Sequence, residues 1–391
     1  MMSKLFTFEK PLGMRDTLPA LYEAKQTIKK LLASEINSWG YQFMDTPTLE
    51  YYDTVGSASA ILDHQLFKLL DQQGKTLVLR PDMTAPIARV AASQMEDTAQ
   101  QPLRLAYSGN VFRAQQNEAG KPAEFEQVGV ECIGDGTISA DAEMIALLVS
   151  LLKKVNIQPF TIAVGHIGFV QQLFLEVVKT EETAEKLGRF LYEKNYVGYR
   201  EYVKSLQLDS KEEQRLLTLL QVRGDYSKIE LAQTLVESEE GVQAIEELQQ
   251  LWTMLEAYGV TEFVKLDLNI VSHMSYYTGI LFEVYAGNVG APIGNGGRYN
   301  QLFEKFNKQK PATGFGLYLD RLLDAKGYKG EIAPRSLVLF SKDRKLEAIQ
   351  YAQMKRNDGE RVVVQDIDGL QHIEACIQQY ETVYYFIDRE V

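Results

Sequence analysis

Hydrophobic positions along this chain switch between two periods, and the switches mark out its elements. In residues 20–39, ALYEAKQTIKKLLASEINSW, the apolar positions Leu21, Ala24, Ile28, Leu31, Leu32 and Ile36 recur at helical spacing, and Gly40 stands where that helix is expected to end. The strand-like YQFMDTPTLEYYD follows, and LFKLLDQQGKTLVLR then predicts a hairpin, two β-rich runs about a polar turn containing Gly74. The runs LRLAYSGNVFR and AEFEQVGVECIG flank the polar loop AQQNEAGKP, and antiparallel pairing is the simplest way to join strands so close in sequence. SADAEMIALLVSLLKKVN returns to the helical period behind a Ser/Asp start.

No proline occurs between Phe160 and Ala291, and residues of about 170–260 carry Leu, Glu, Gln and Lys at helical spacing, which predicts a helical insertion. Strands resume at FVKLDLNIV and GILFEVYAG. GNGGRYNQLF is expected to form a glycine-rich turn, and ATGFGLYLDRLLDAKG changes from strand-like to helix-like near Tyr318. Beyond GEIAPRS, the runs LVLF, RKLEAIQYAQMKRN, RVVVQ, LQHIEACIQQY and TVYYFID alternate strand and helix, the pattern of a small α/β domain. The expected class is therefore α+β, a largely antiparallel sheet with flanking helices, a helical insertion and a short C-terminal unit.

Composition narrows the setting more than the chemistry. A chain of 391 residues exceeds one ordinary core, and 45% apolar with 24% charged residues is the balance of a globular protein. No apolar run approaches the roughly 18 residues of a membrane span, and MMSKLFTFEKPLG lacks the apolar centre of a signal peptide, so a cytoplasmic location is expected. Cys132 and Cys376 form no CxxC pair and the four histidines are scattered, so no disulfide, metal or cofactor is expected. A net charge of −12 favours solubility and opposes phosphate backbones, which makes tRNA an unlikely partner.

Four clusters carry candidate chemistry. In LRPDMTAPIARV, Arg80, Asp82 and Thr84 stand where a strand gives way to a helix; Asp82 suits an ammonium group, and equally a helix cap. On the strand AEFEQVGVECIG, period two puts Gln127, Gly129 and Glu131 on one face and Glu124 on the other, so the first three line either a site for a small polar ligand or a solvated sheet face. Tyr276, Tyr277, Thr278 and Gly279 bring rings and hydroxyls together beside a flexible glycine, a combination that serves a site or ordinary packing. GNGGRYNQL lacks the Lys-Ser/Thr of a P-loop and the setting of a Rossmann turn, and Arg321 in GFGLYLDRLL is placed for a phosphate or an acidic neighbour.

Taken in order, these segments resemble the class II histidyl-tRNA synthetase core over about the first 325 residues. TPTLE, with Pro47, is similar to motif 1, LRPDMTAPIAR to the synthetase segment LRPEGTA, and YSGNVFRAQQNEAGKPAEFEQVGVECIG to motif 2. SYYTGILFEVY and GNGGRYNQL are similar to the two histidine-specific motifs, and GFGLYLDRL to motif 3. The resemblance implies a six- or seven-stranded antiparallel sheet in residues 1–325, dimerisation through motif 1, and a C-terminal α/β domain in residues 333–391. It also implies a histidine pocket of Asp82, Thr84, Arg113, Gln127, Glu131, Tyr276 and Tyr277. In it, Glu131 and a tyrosine face the imidazole while Asp82 and Gln127 hold the amino end.

The departures from that family bear on activity. Where the synthetase pattern reads RGLDYYTG this chain has SHMSYYTG, with Ser272 at the arginine position and Ser275 at the aspartate; where it reads GRYREF the chain has GKPAEF, keeping Lys121 but placing Ala123 at the second arginine. Adenylation builds negative charge at the ATP α-phosphate, and losing one preorganised donor to such charge costs roughly 10²–10³ in rate. Lys121 and Arg321 remain as possible phosphate contacts. A kept pocket with damaged activation machinery and a short tail resembles the synthetase-like regulatory subunits of ATP phosphoribosyltransferase. That resemblance implies a non-catalytic chain that binds L-histidine, assembles with a short-form catalytic subunit at the first step of histidine biosynthesis and transmits feedback inhibition. A divergent active histidyl-tRNA synthetase and a stand-alone histidine or tRNA sensor are the alternatives.

Overall fold

A computed structural model of the chain describes residues 8–93, 101–114, 122–271, 277–328 and 335–387. The elements, in chain order, are α1 (Pro19–Ser38), β1 (Gln42–Phe43), β2 (Leu49–Tyr51), β3 (Lys68–Leu70), β4 (Thr76–Leu79), α2 (Thr84–Ser93), β5 (Leu103–Phe112), β6 (Glu124–Ile133), α3 (Ile138–Lys154) and β7 (Phe160–His166). Next come the helices α4 (Ile167–Val178), α5 (Glu181–Tyr192), α6 (Tyr196–Ser205) and α7 (Ser210–Leu219), then β8 (Arg223–Gly224), α8 (Lys228–Gln233) and α9 (Glu239–Ala257). Strands β9 (Val264–Asp267), β10 (Ile280–Ala286), β11 (Gly294–Arg298) and β12 (Ala312–Tyr318) lead to α10 (Leu319–Lys326). The chain ends in β13 (Ser336–Phe340), α11 (Lys345–Asn357), β14 (Val362–Asp366), α12 (Ile373–Ile377) and β15 (Thr382–Phe386).

Two compact units result, one formed by Ala24–Tyr328 with the stretch ahead of Leu18, the other by Leu18–Glu23 with the chain after Tyr328. The larger unit is built on a nine-stranded sheet of order β1-β5-β6-β12-β11-β10-β7-β9-β8. Its middle strands, β5 to β7 in that order, pair antiparallel, and the parallel pairs β1 with β5 and β7 with β9 extend it on either side. A separate three-stranded antiparallel sheet, β2-β4-β3, contains the expected hairpin. In the smaller unit, β14-β13-β15 form a parallel three-stranded sheet, with Ala348 and Ala352 of α11 buried beside Val338.

Helix α3 buries Met144, Ile145, Leu147, Leu148, Leu151 and Leu152, and is covered by the sheet and by α9. Each such side chain stabilises the fold by about 1.5–3 kcal/mol. Helix α2 packs Ala85, Ile87, Ala88 and Ala91 with Leu105, Tyr107, Val111 and Phe303. The inserted helices start where local chemistry satisfies their first amides: Asn195 accepts from Gly198 N–H at 2.9 Å, Asp209 from Glu212 N–H at 2.9 Å, and Ser238 from Gly241 N–H at 3.2 Å.

Two sequence expectations change. GNGGR is not a turn but the strand β11, inserted between β10 and β12; its glycines allow the neighbouring backbones in, since a Cβ at Gly296 would lie 2.3 Å from the Gly314 carbonyl oxygen. The insertion is not wholly helical, because Arg223–Gly224 forms a short strand antiparallel to β9.

Candidate functional site

Strands β5, β6 and β12 form the floor of a cavity. Period two directs Gln127, Gly129 and Glu131 of β6 to one face, and the register sets them across from Tyr318, Gly316 and Gly314 of β12. Glycine at those positions leaves a trough: a Cβ on Gly314 would stand 1.9 Å from Glu131 Oε2, and one on Gly316 would stand 2.9 Å from the Tyr107 hydroxyl. The cavity is lined by Asp82, Thr84, Tyr107, Arg113, Gln127, Glu131, Tyr277, Asn295, Tyr299, Phe315 and Tyr318, and its empty space is about 410 Å³ including the open mouth.

Glu131 closes the deep end. It is 1% exposed, accepts a hydrogen bond from Thr84 Oγ1 at 2.8 Å on one oxygen and bonds to the Tyr299 hydroxyl with the other. Burial disfavours the carboxylate and pushes its pKa up to about 8, against the pull of the Tyr299 and Thr84 hydroxyls and with a further push from Asp82. At neutral pH the group is therefore mostly a carboxylic acid, able to donate one proton and to accept others. Burial likewise raises the Tyr107 and Tyr277 hydroxyls, with Glu131 adding to both, so both stay neutral.

Asp82 caps α2 and also lines the cavity. Its Oδ1 accepts the Ala85 amide at 2.9 Å in the first turn of α2, its Oδ2 accepts the Ser59 hydroxyl, and the side chain still faces the cavity. Gln127, 6% exposed, is buried rather than on a solvated face. Arg113 donates from Nε to the Pro81 carbonyl at 2.8 Å and lies 5.2 Å over the Phe125 ring, so its guanidinium is fixed at the rim. Glu124, on the opposite face as expected, accepts from Asn110 Nδ2 at 2.6 Å.

Arg80 and Arg298 serve the frame. Arg80 donates from Nε to the Asn110 carbonyl at 2.8 Å and is 4% exposed. Arg298, at the end of β11, holds buried Asp141 at 2.9 Å and 2.7 Å, and its carbonyl accepts the Thr278 amide at 2.9 Å, which steadies the backbone next to Tyr277. Arg321 lies behind the cavity wall, 4.5 Å over the Tyr318 ring and bonded to the Pro292 carbonyl, while neighbouring Asp320 pairs with Lys25 at 2.6 Å.

Of the expected site residues, Asp82, Thr84, Arg113, Gln127, Glu131 and Tyr277 all line this one cavity. Tyr276, Lys121, Ser272 and Ser275 lie outside the described residues. Ala123 is buried; its amide donates to the Gly13 carbonyl at 2.8 Å and its carbonyl accepts the Arg113 amide at 2.8 Å. Tyr107, Tyr299, Asn295 and Tyr318 were not singled out from sequence. Alternation through GFGLY would have put Gly314, Gly316 and Tyr318 on one face, whereas Tyr299 follows its strand with no periodic signal.

The sheet that carries this cavity has the class II aminoacyl-tRNA synthetase fold, as the wider comparisons show. A family description of histidyl-tRNA synthetase matches residues 13–322, and one for the histidyl-tRNA synthetase HisZ C-terminal domain matches residues 337–388. The chain is 60% identical, over 100% of its length and 98% of the relative's, to the ATP phosphoribosyltransferase regulatory subunit of Geobacillus thermodenitrificans (strain NG80-2). It superposes with a TM-score of 0.92 and 53% identity on the crystal structure described as an ATP phosphoribosyltransferase regulatory subunit/histidyl-tRNA synthetase from Bacillus halodurans C, covering 99% of this chain and 100% of that one. The fold extends to histidyl-tRNA synthetase from Nostoc sp. PCC 7120, with a TM-score of 0.80 at 20% identity over 96% of this chain and 89% of that one.

The chain belongs to the ATP phosphoribosyltransferase regulatory subunit family, a branch with the histidyl-tRNA synthetase architecture.

Proposed function

We propose that this chain is a non-catalytic regulatory subunit of ATP phosphoribosyltransferase in the cytoplasm, at the first step of L-histidine biosynthesis. In this reading it binds L-histidine in the β5–β6–β12 cavity, is required for the activity of a short-form catalytic subunit and transmits feedback inhibition to it. The observation that carries the reading is Glu131, buried at the deep end with a pKa pushed up to about 8. A group that exchanges its proton near neutrality matches an imidazole, which titrates near pH 6.5 and carries one ring donor and one ring acceptor when neutral. Asp82 and Gln127 then receive the ammonium group, and Arg113 at the rim balances the carboxylate. Tyr276 and Tyr277 complete the proposed pocket.

The lost aminoacylation chemistry belongs to the same proposal. Ala123, uncharged where the synthetase pattern has its second arginine, is packed so closely under residue 13 that its Cβ lies 2.6 Å from where a Cβ on Gly13 would stand. Regulation requires that histidine bind two states of the assembly with different affinity. Self-association through the motif 1 region is supported by Leu49, Tyr51 and Leu69, exposed apolar side chains that the register of β2-β4-β3 sets on one face.

The test is histidine-dependent ATP–pyrophosphate exchange on the purified chain, with a thermal-shift titration to detect histidine binding. Binding without exchange is expected. Robust exchange would make the chain a synthetase and overturn the proposal.

A further inference from the structure

Among the described residues, Tyr318 stands at the end of the cavity opposite Glu131. In the β6–β12 register Glu131 faces Gly314, and Gln127 faces Tyr318 at the other end of the same face. Strand rise puts those two ends roughly 13 Å apart along the backbone. Three elements fix Tyr318. Its hydroxyl donates to Asn295 Oδ1 of β11 at 2.8 Å, the Arg321 guanidinium of α10 sits 4.5 Å over its ring, and the Phe125 ring of β6 meets it at 5.7 Å and 59°. Arg321 is itself held by the Pro292 carbonyl. A ring tied at its hydroxyl, one face and a neighbouring ring is a fixed wall.

Resting on the histidine-binding reading above, we infer that Tyr318 sets the length of ligand that the cavity accepts. Free histidine ends where Arg113 and Tyr318 stand, so its carboxylate is admitted while a bulky group attached to that carboxyl meets the Tyr318 ring. The discrimination is steric and lies at the carboxyl end. The imidazole end, set by Glu131, is untouched by it.

Calorimetric titration of the full chain with L-histidine and with L-histidine β-naphthylamide tests this. Wild type and Tyr318→Phe, which keeps the ring, are expected to prefer free histidine by about tenfold or more. Tyr318→Val keeps a strand-forming residue at the end of β12 but shortens the wall. It is expected to move the affinity ratio toward the naphthylamide by about tenfold or more. Should that variant not fold, Tyr318→Leu gives the same comparison. Retained histidine binding with an unchanged ratio in the folded variant overturns the role of Tyr318, as does equal binding of both ligands by wild type. No histidine binding by wild type overturns the pocket reading itself, and this inference with it.

Discussion

Glu131 on β6 and Gly314 on β12 are direct partners across two adjacent strands, and a single methyl group on the glycine would lie 1.9 Å from the glutamate Oε2. The space that holds the buried carboxyl exists because residue 314 has no side chain. Gly314→Ala also brings its Cβ to 2.5 Å from the Val130 carbonyl oxygen, which belongs to the backbone and cannot swing away. Overpacking of this kind costs about 1–3 kcal/mol, so the variant should melt several degrees lower and bind histidine at least about tenfold more weakly. Thermal melts and calorimetry check both effects; unaltered histidine affinity would mean that the ligand lies elsewhere.

The affinity for histidine should depend on pH in a defined way. In the proposed complex Glu131 and the imidazole share one proton. With Glu131 at about 8, the free partners together carry that one proton between pH values of about 6.5 and 8, so affinity is flat there. Below about 6.5 a proton must be released and above about 8 one must be taken up, so affinity falls on both sides, approaching about tenfold per pH unit. Calorimetry in buffers of different ionisation enthalpy reads the protons directly. A monotonic profile contradicts this assignment.

The same carboxyl influences stability. Its pKa rises on folding from 4.5 to about 8, so the folded state holds the proton more tightly. The contribution is fully present below about pH 4.5 and is lost as pH rises to about 8, a span worth roughly 5 kcal/mol. Glu131→Gln keeps the volume but cannot ionise. Urea unfolding from pH 5 to 8 should show a flatter profile for the variant than for wild type, and parallel profiles would place the titration on other groups.

The Asp141–Arg298 pair supports the tyrosine segment from behind. Arg298→Met leaves the Asp141 carboxylate, fully buried, without its guanidinium. Breaking such a pair from one side costs about 3–5 kcal/mol, whereas replacing both partners with apolar residues costs far less. Arg298→Met with Asp141→Leu should therefore be more stable than Arg298→Met alone, in a double-mutant cycle followed by denaturant unfolding. Additive losses would show that the pair is not coupled.

Much of this architecture was legible in the chain. The hairpin about Gly74, the β5–β6 pair, helix α3 and the strand-helix alternation of the tail each follow from a clean period. Period two also put Gln127 and Glu131 on one face, but it could not choose between ligand and solvent, since that depends on Gly314 and Gly316 of a strand distant in sequence. GNGGR was misread because glycines break periodicity, and only the flanking strands show that close backbone approach is their use. Strand β7 was hidden by burial on both faces, since Phe160 and Ile162–His166 have no polar alternation to read. Tyr299 joined the site by tertiary position alone.

The most direct test of the central claim is a histidine titration of the transferase rate of the reconstituted complex, with the wild-type chain and with Glu131→Gln. The account predicts inhibition by histidine with the wild type and an inhibition curve shifted to at least about tenfold higher histidine with the variant, on the scale of one lost hydrogen bond to a charged or buried partner. Superimposable curves, or a rate indifferent to histidine, would contradict it.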